Sequence, residues 1–420
     1  MDLAIPTDIA YVLLLFVLFV VPRYLQRYRL PSAISSLMLG ASGAALGLFQ
    51  HDQTVALLAS FGIVALFLFA GLELDLEELR PELPVLVQHL VIWALLLGAA
   101  TWGVSRFLEL PLRAACLYGL ALVTPSTGFI LDSLNLFGFS EAEQRWTKQK
   151  AIAAELLALG VLFVALQSSS LRQLAVSTAA LALLLLLIPA LFRFFAARIA
   201  PYAPRSEFAF LLMVAVLSAY ATRRLGVYYL VGAFVVGLAA QRFRERLPAM
   251  SSERMLSATQ AFASFFIPFY FFKAGLGISA AALSRDAWLT GLVLLVVFGA
   301  ARVAVVLVHR RLALREAYRT GARVAVALLP TLVFALVIAE ILRDEFGLDP
   351  VRFGALIVYT VASTALPGLL FRTPPPEFDA PQLPPLAPAQ REANAGAEAR
   401  PGGPAPTESR AGPDRWPPIS

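Results

Sequence analysis

Glu155 lies inside an apolar run, Ala151-Ile-Ala-Ala-Glu155-Leu-Leu-Ala-Leu-Gly-Val-Leu-Phe-Val164. A charged carboxylate at bilayer depth costs about 2.5–3.5 kcal/mol on insertion scales, so it needs a partner, a hydrated cavity or a proton. A second anomaly precedes it. Leu122-Val-Thr-Pro-Ser-Thr-Gly128 places Pro125, Gly128 and the hydroxyls of Thr124, Ser126 and Thr127 in another apolar run. Pro125 removes a backbone donor and Gly128 loosens the helix. Such a break is tolerated at membrane depth only where protein or water surrounds it. A buried acid beside a broken helix is the chemistry of an ion or proton site.

The chain that must position these groups has 420 residues, 59% hydrophobic and 15% charged. With a mean hydropathy of +0.74 it reads as an all-α polytopic membrane protein. About 13 candidate spans cover residues 8–22, 31–48, 54–73, 84–105, 111–136, 150–167, 173–192, 206–222, 225–240, 258–280, 287–308, 320–342 and 351–371. The domain assignment is 1–371 for the membrane part and 372–420 for a Pro/Ala/Gly-rich tail, expected to be disordered and cytoplasmic. No nucleotide-binding pattern is found in the tail, and the first apolar run reads as a span rather than a cleaved signal.

Basic residues set the expected orientation. One set of alternate loops collects Arg23, Arg27 and Arg29, then Arg145, Lys148 and Lys150, then Arg242, Arg244 and Arg246, then Arg310, Arg311 and Arg315. The positive-inside rule then puts the N-terminus outside and the C-terminus in the cytoplasm of a bacterial-type inner membrane. The net charge of +6 is thereby read as topology. Because these residues are spread over separate loops, nucleic-acid binding is a poor reading.

His51, His89 and His309 have no metal-ligand spacing. His51 and His309 read as loop residues, and His89 is buried only if the fourth span starts early. Cys116 reads as a buried small hydrophobe. No Ser-His-Asp or Cys-His grouping suggests an enzyme, and no cofactor or resident metal is expected. Asp132 sits beyond the break, either feeding cations into an inner funnel or ending a helix near water. Glu73 and Asp75 read as a solvated helix end, and Gly71, Gly232 and Gly237 as points of close helix approach.

Three phrases resemble the cation:proton antiporter-2 family, the Kef-like and NapA-like sodium/hydrogen exchanger transmembrane domain. They are Ala65-Leu-Phe-Leu-Phe-Ala-Gly-Leu-Glu-Leu-Asp75, Tyr229-Leu-Val-Gly-Ala-Phe-Val-Val-Gly-Leu238 and Phe265-Phe-Ile-Pro-Phe-Tyr-Phe-Phe-Lys-Ala-Gly-Leu-Gly-Ile278. They occur in the family's order. The resemblance implies an NhaA/NapA-like fold, with six spans, one linking span and six more in inverted orientation. It implies two crossing broken helices, at Thr124-Pro125 and at Leu328-Leu-Pro330-Thr331. It makes Glu155 the ion- and proton-binding acid, with Thr124, Ser126, Thr127 and Thr331 as further ligands. Arg302 falls where the family places a Lys or Arg that stabilises the crossing. Lys273 is either a partner of Glu155 or an interfacial lysine.

The implied activity is exchange of H⁺ for a monovalent cation, Na⁺ or K⁺, by competition at one carboxylate. The partners are these ions and the lipid bilayer, with a homodimer left open. The family usually carries Asp at the Glu155 position, preceded by Asn, Asp or Gln, whereas this chain has Glu155 preceded by Ala154. The alternative is a channel-like or regulatory protein, or an organic-anion carrier, on the same fold.

Overall fold

The computed structural model describes residues 7–49, 52–72, 83–134, 137–168, 170–203, 206–224, 229–243 and 253–371. His51, Glu73, Asp75 and the tail 372–420 lie outside the described residues. All regular structure within them is helical.

In chain order the first half comprises α1 (Thr7–Gln26), α2 (Ser32–Ala45), α3 (Gln53–Leu72), α4 (Leu83–Phe107), the short pair α5 (Leu112–Val123) and α6 (Thr127–Leu134), and α7 (Glu141–Gln167). A long helix, α8 (Leu171–Arg198), comes next. The second half repeats the order with α9 (Glu207–Arg224), α10 (Tyr229–Phe243), α11 (Glu253–Leu276), α12 (Arg285–Ala313), the short pair α13 (Tyr318–Ala327) and α14 (Leu332–Phe346), and α15 (Pro350–Phe371).

The packing has the two-fold pattern of an inverted repeat. Helix α4 packs on α5 and α7, as α12 packs on α13 and α15. Helix α5 meets α15, as α13 meets α7. In the scaffold, α2 lies on α11 and α3 on α10, with α3 and α11 together at the centre. Glycines set those approaches. A β-carbon on Gly275 would run into the α2 backbone at Leu37 and Gly40, and one on Gly71 into the α10 backbone at Phe234 and Gly237. Gly232 is closed off in the same way by Ser218 of α9.

Among the described residues, seven helices are each long and apolar enough to cross a bilayer. The α13–α14 pair, bent by 45° at its break, makes eight. Helix α2, at 14 residues, rises only about 21 Å against a hydrocarbon core of about 30 Å.

Helix α7 begins nine residues before the expected residue 150. A capping box starts it: Ser140 Oγ accepts from the Glu143 N–H, and the Glu143 carboxylate accepts from the Ser140 N–H at 2.9 Å. The polar turns before Ala151 therefore continue the helix that carries Glu155.

Candidate ion-binding site

Hydrophobic patterning delivers α7 to the interior, and Glu155 arrives there 6% exposed. Its partner comes from the broken element. The backbone leaves the helix at Thr124–Ser126 and resumes at Thr127. That leaves the first N–H groups of α6 without intrahelical acceptors. The Thr127 N–H donates to Glu155 Oε2 at 3.1 Å. The carboxylate thus sits at the positive end of a half-helix.

The second break lies against the first. The Ser126 N–H donates to the Pro330 carbonyl at 2.8 Å, so the two interruptions share a backbone hydrogen bond. Thr331, just ahead of α14, shares a hydrogen bond with Ser363 of α15 at 3.2 Å. Buried hydroxyls are usually paired. Here Thr124, Ser126, Thr360 and Thr364 have buried hydroxyls with no protein partner among the described residues. A cavity of about 30 Å³ touches Pro125, Leu328, Arg302, His89 and Trp93, which is room for about two water molecules.

Arg302 occupies the opposite pole. It lies on α12 just past a π turn at Leu295–Gly299. One extra residue in that turn rotates the remainder of the helix by about 100°. The Arg302 guanidinium donates to the Leu328 and Leu329 carbonyls, which end α13, and to the Tyr359 hydroxyl. Tyr359 in turn donates to the Leu122 carbonyl at the end of α5. The two negative helix ends that point into the crossing are therefore tied to one cation.

Other predicted residues fall elsewhere. Lys273 pairs with Glu340 of α14 at 3.1 Å, bracing α11 against the second half-helix. Asp132 lies in α6, with its side chain outside the described residues. Cys116 is half-buried rather than buried. His309 is no loop residue: α12 runs on to Ala313 and His309 is 5% exposed within it. Lys150 and Arg310, expected to be loop charges, are likewise buried, at 0% and 1% exposed. The cause is the same, since both helices extend past their apolar runs. His89 is buried, as an early start of α4 at Leu83 requires.

Tyr359 and the hydroxyls of α15 went unread in the sequence. A signal existed: Thr360, Ser363 and Thr364 recur at i, i+3 and i+4, one helical face, in an apolar span.

Two broken helices crossing beside a buried carboxylate place the chain in the inverted-repeat class of membrane folds. The family model described as sodium/hydrogen exchanger, transmembrane, matches residues 12–374, and the chain belongs to that family. A curated relative, "Probable Na(+)/H(+) antiporter 3" of Methanocaldococcus jannaschii, is 27% identical over 124 residues. That segment is 29% of this chain and 31% of the relative. The fold is similar to the sodium proton antiporter MjNhaP1 from Methanocaldococcus jannaschii solved at pH 8, with TM-score 0.64 and 15% identity over 87% of this chain and 96% of that one. It is also similar to an electron-microscopy structure of MjNhaP1, with TM-score 0.60 and 17% identity over 88% and 96%.

Proposed function

We propose that the chain exchanges H⁺ for a monovalent cation, Na⁺ or K⁺, across the membrane. The observation that carries this reading is the Glu155 carboxylate held by the Thr127 N–H, beside the unpartnered hydroxyls of Thr124 and Ser126. A carboxylate in that position is neutralised either by a proton or by a cation. The hydroxyls, with Thr331 and the carbonyls freed at the breaks, supply neutral oxygens for a dehydrated ion. Arg302 and Pro330 hold the crossing in shape, and Lys273 supports α14 through Glu340. Asp132, on the half-helix that Thr127 opens, is the candidate for a funnel. The relatives' names point the same way.

An organic-anion carrier would keep the half-helix N-terminus for its substrate. Glu155 occupies it here, which disfavours that alternative. Everted vesicles with an imposed pH gradient, challenged in turn with Na⁺, K⁺ and Li⁺, test the reading. A gradient that no cation dissipates sinks it.

The proposed setting is a plasma membrane crossed thirteen times by residues 1–371, with the N-terminus outside and the 372–420 tail in the cytoplasm. A reporter after Ser420 that reads as external would reject this topology.

A further inference from the structure

Between the first turns of α4 and the last turns of α12 lies a crevice of about 600 Å³. Its apolar walls are Ile92, Val305, Val308 and Leu312, and its polar members are Gln88 and His309. Val308 and Leu312 are 54% and 75% exposed, so this wall faces the hydrocarbon. Behind His309 stands a buried basic cluster that the exchange reading does not use. Lys150 Nζ lies 3.2 Å from His309 Nδ1, and the His89 ring stacks on His309 at 6.0 Å. Arg310 is held by Glu316 at 2.7 and 2.8 Å. The Trp146 ring lies 5.7 Å from Lys150 and 5.9 Å from the Arg310 guanidinium.

Among the described residues the cluster is short of negative charge. Arg310 is answered by Glu316, and Lys150 is buried beside it with no carboxylate of its own among the described residues. Among the described residues Lys150 is in no ion pair. Donors are also left over. With Lys150 donating to Nδ1, a neutral His309 carries its proton on Nε2. That nitrogen and Arg310 Nη1 are buried without partners among the described residues. Outside, Arg311, Arg315 and Arg319 are exposed around the same helix end. His309 lies four residues before Ala313, about 6 Å along the axis from the end of α12, and so in the last turns of the helix rather than at its middle.

We propose that this crevice binds an anionic phospholipid, one per chain. An acyl chain lies along Ile92, Val305, Val308 and Leu312, and the phosphate supplies the missing negative charge at the His309–Arg311 end. A zwitterionic lipid brings its own cation and cannot make up the deficit. Free phosphate would leave the apolar crevice unfilled. Basic pockets between membrane helices near the headgroup level have this binding chemistry.

The test uses the purified, delipidated full chain in neutral detergent. Phosphatidylglycerol, phosphatidylcholine and inorganic phosphate are added separately, with thermal unfolding and native mass spectrometry as readouts. Phosphatidylglycerol should raise the midpoint by several degrees and leave one bound lipid, while the other two should not. Val308→Trp fills the crevice from its exposed side without touching the buried cluster, and should lose the bound lipid. His309→Gln removes a donor at the polar end and should weaken the preference for phosphatidylglycerol. Equal stabilisation by phosphatidylcholine, full reproduction of the shift by phosphate, or an undiminished lipid adduct in Val308→Trp overturns the proposal. Cation exchange is not a readout, so a failure here is separable from a failure of the antiport reading.

Discussion

Arg302 donates to the Tyr359 hydroxyl at 3.1 Å, and through that one oxygen it reaches the opposite half of the repeat. The contact joins α12 of the second half to the Leu122 carbonyl of the first. It makes the crossing a single hydrogen-bonded unit instead of two adjacent kinks. Arg302→Gln should strand the Leu328 and Leu329 carbonyls and destabilise the protein by about 3 kcal/mol. Tyr359→Phe removes one bond to each half and should cost about 1 kcal/mol. In a double-mutant cycle monitored by denaturant unfolding the two changes should be non-additive. Strict additivity would mean that the hydroxyl does not couple the halves.

Glu155→Gln should abolish cation-dependent proton flux while the protein folds and inserts normally. The Gln side-chain oxygen can still accept from the Thr127 N–H, but the group no longer titrates. Flux at the wild-type rate in proteoliposomes would remove Glu155 from the mechanism.

Much of this arrangement was legible in the residues. The run around Glu155, the break at Thr124–Gly128 and the second break at Leu328–Thr331 each violate what an uninterrupted apolar helix requires. Residue type singled out the acid and the first break, the family resemblance paired them with the second, and the structure brings the three together. The polar extensions of α7 and α12 were less legible, because apolar patterning ends where their burial does not. Glu141–Lys150 looks like a loop until Ser140 and Glu143 are recognised as a cap. His309 and Arg310 look solvated until α4 and α7 are seen to cover them. Tyr359 was invisible for another reason: a tyrosine in an apolar span is ordinary, and only the fold places it between Arg302 and Leu122.

Gly275→Val and Gly71→Val should abolish the folded protein, since the added carbons meet backbone atoms of α2 and α10 that cannot move aside. Gly98→Ala and Gly160→Ala are the controls, because a β-carbon there meets nothing within 4 Å. They should be neutral or slightly stabilising, as alanine outranks glycine in helices by about 1 kcal/mol. Detergent-solubilised yield and size-exclusion profiles separate the two groups. Monodisperse Gly275→Val would refute the close-packing argument.

Ala154 bears on charge balance. With a methyl group where the family resemblance leads one to expect a second polar residue, the proposed mechanism has Glu155 as the one titratable group of this pair. Exchange should then be one-for-one and electroneutral. In proteoliposomes, a clamped membrane potential should leave cation-driven proton movement unchanged. Clear acceleration would require a further titrating group.

The bond from Arg302 to Leu328 also has a consequence for how the chain is made. The acceptor lies 26 residues downstream, on a helix the ribosome has not yet released when α12 reaches the membrane. Until α13 emerges, the guanidinium has no carbonyl to hold, and an arginine at that depth opposes insertion by about 2.5–3.5 kcal/mol. Stable integration of α12 should therefore wait until Leu329 has left the ribosome. Chains truncated after Arg315 and released from the ribosome should leave α12 extractable by alkali, and released chains ending after Phe346 should not. Equal retention at both lengths would mean that lipid or snorkelling, rather than α13, first shelters this charge.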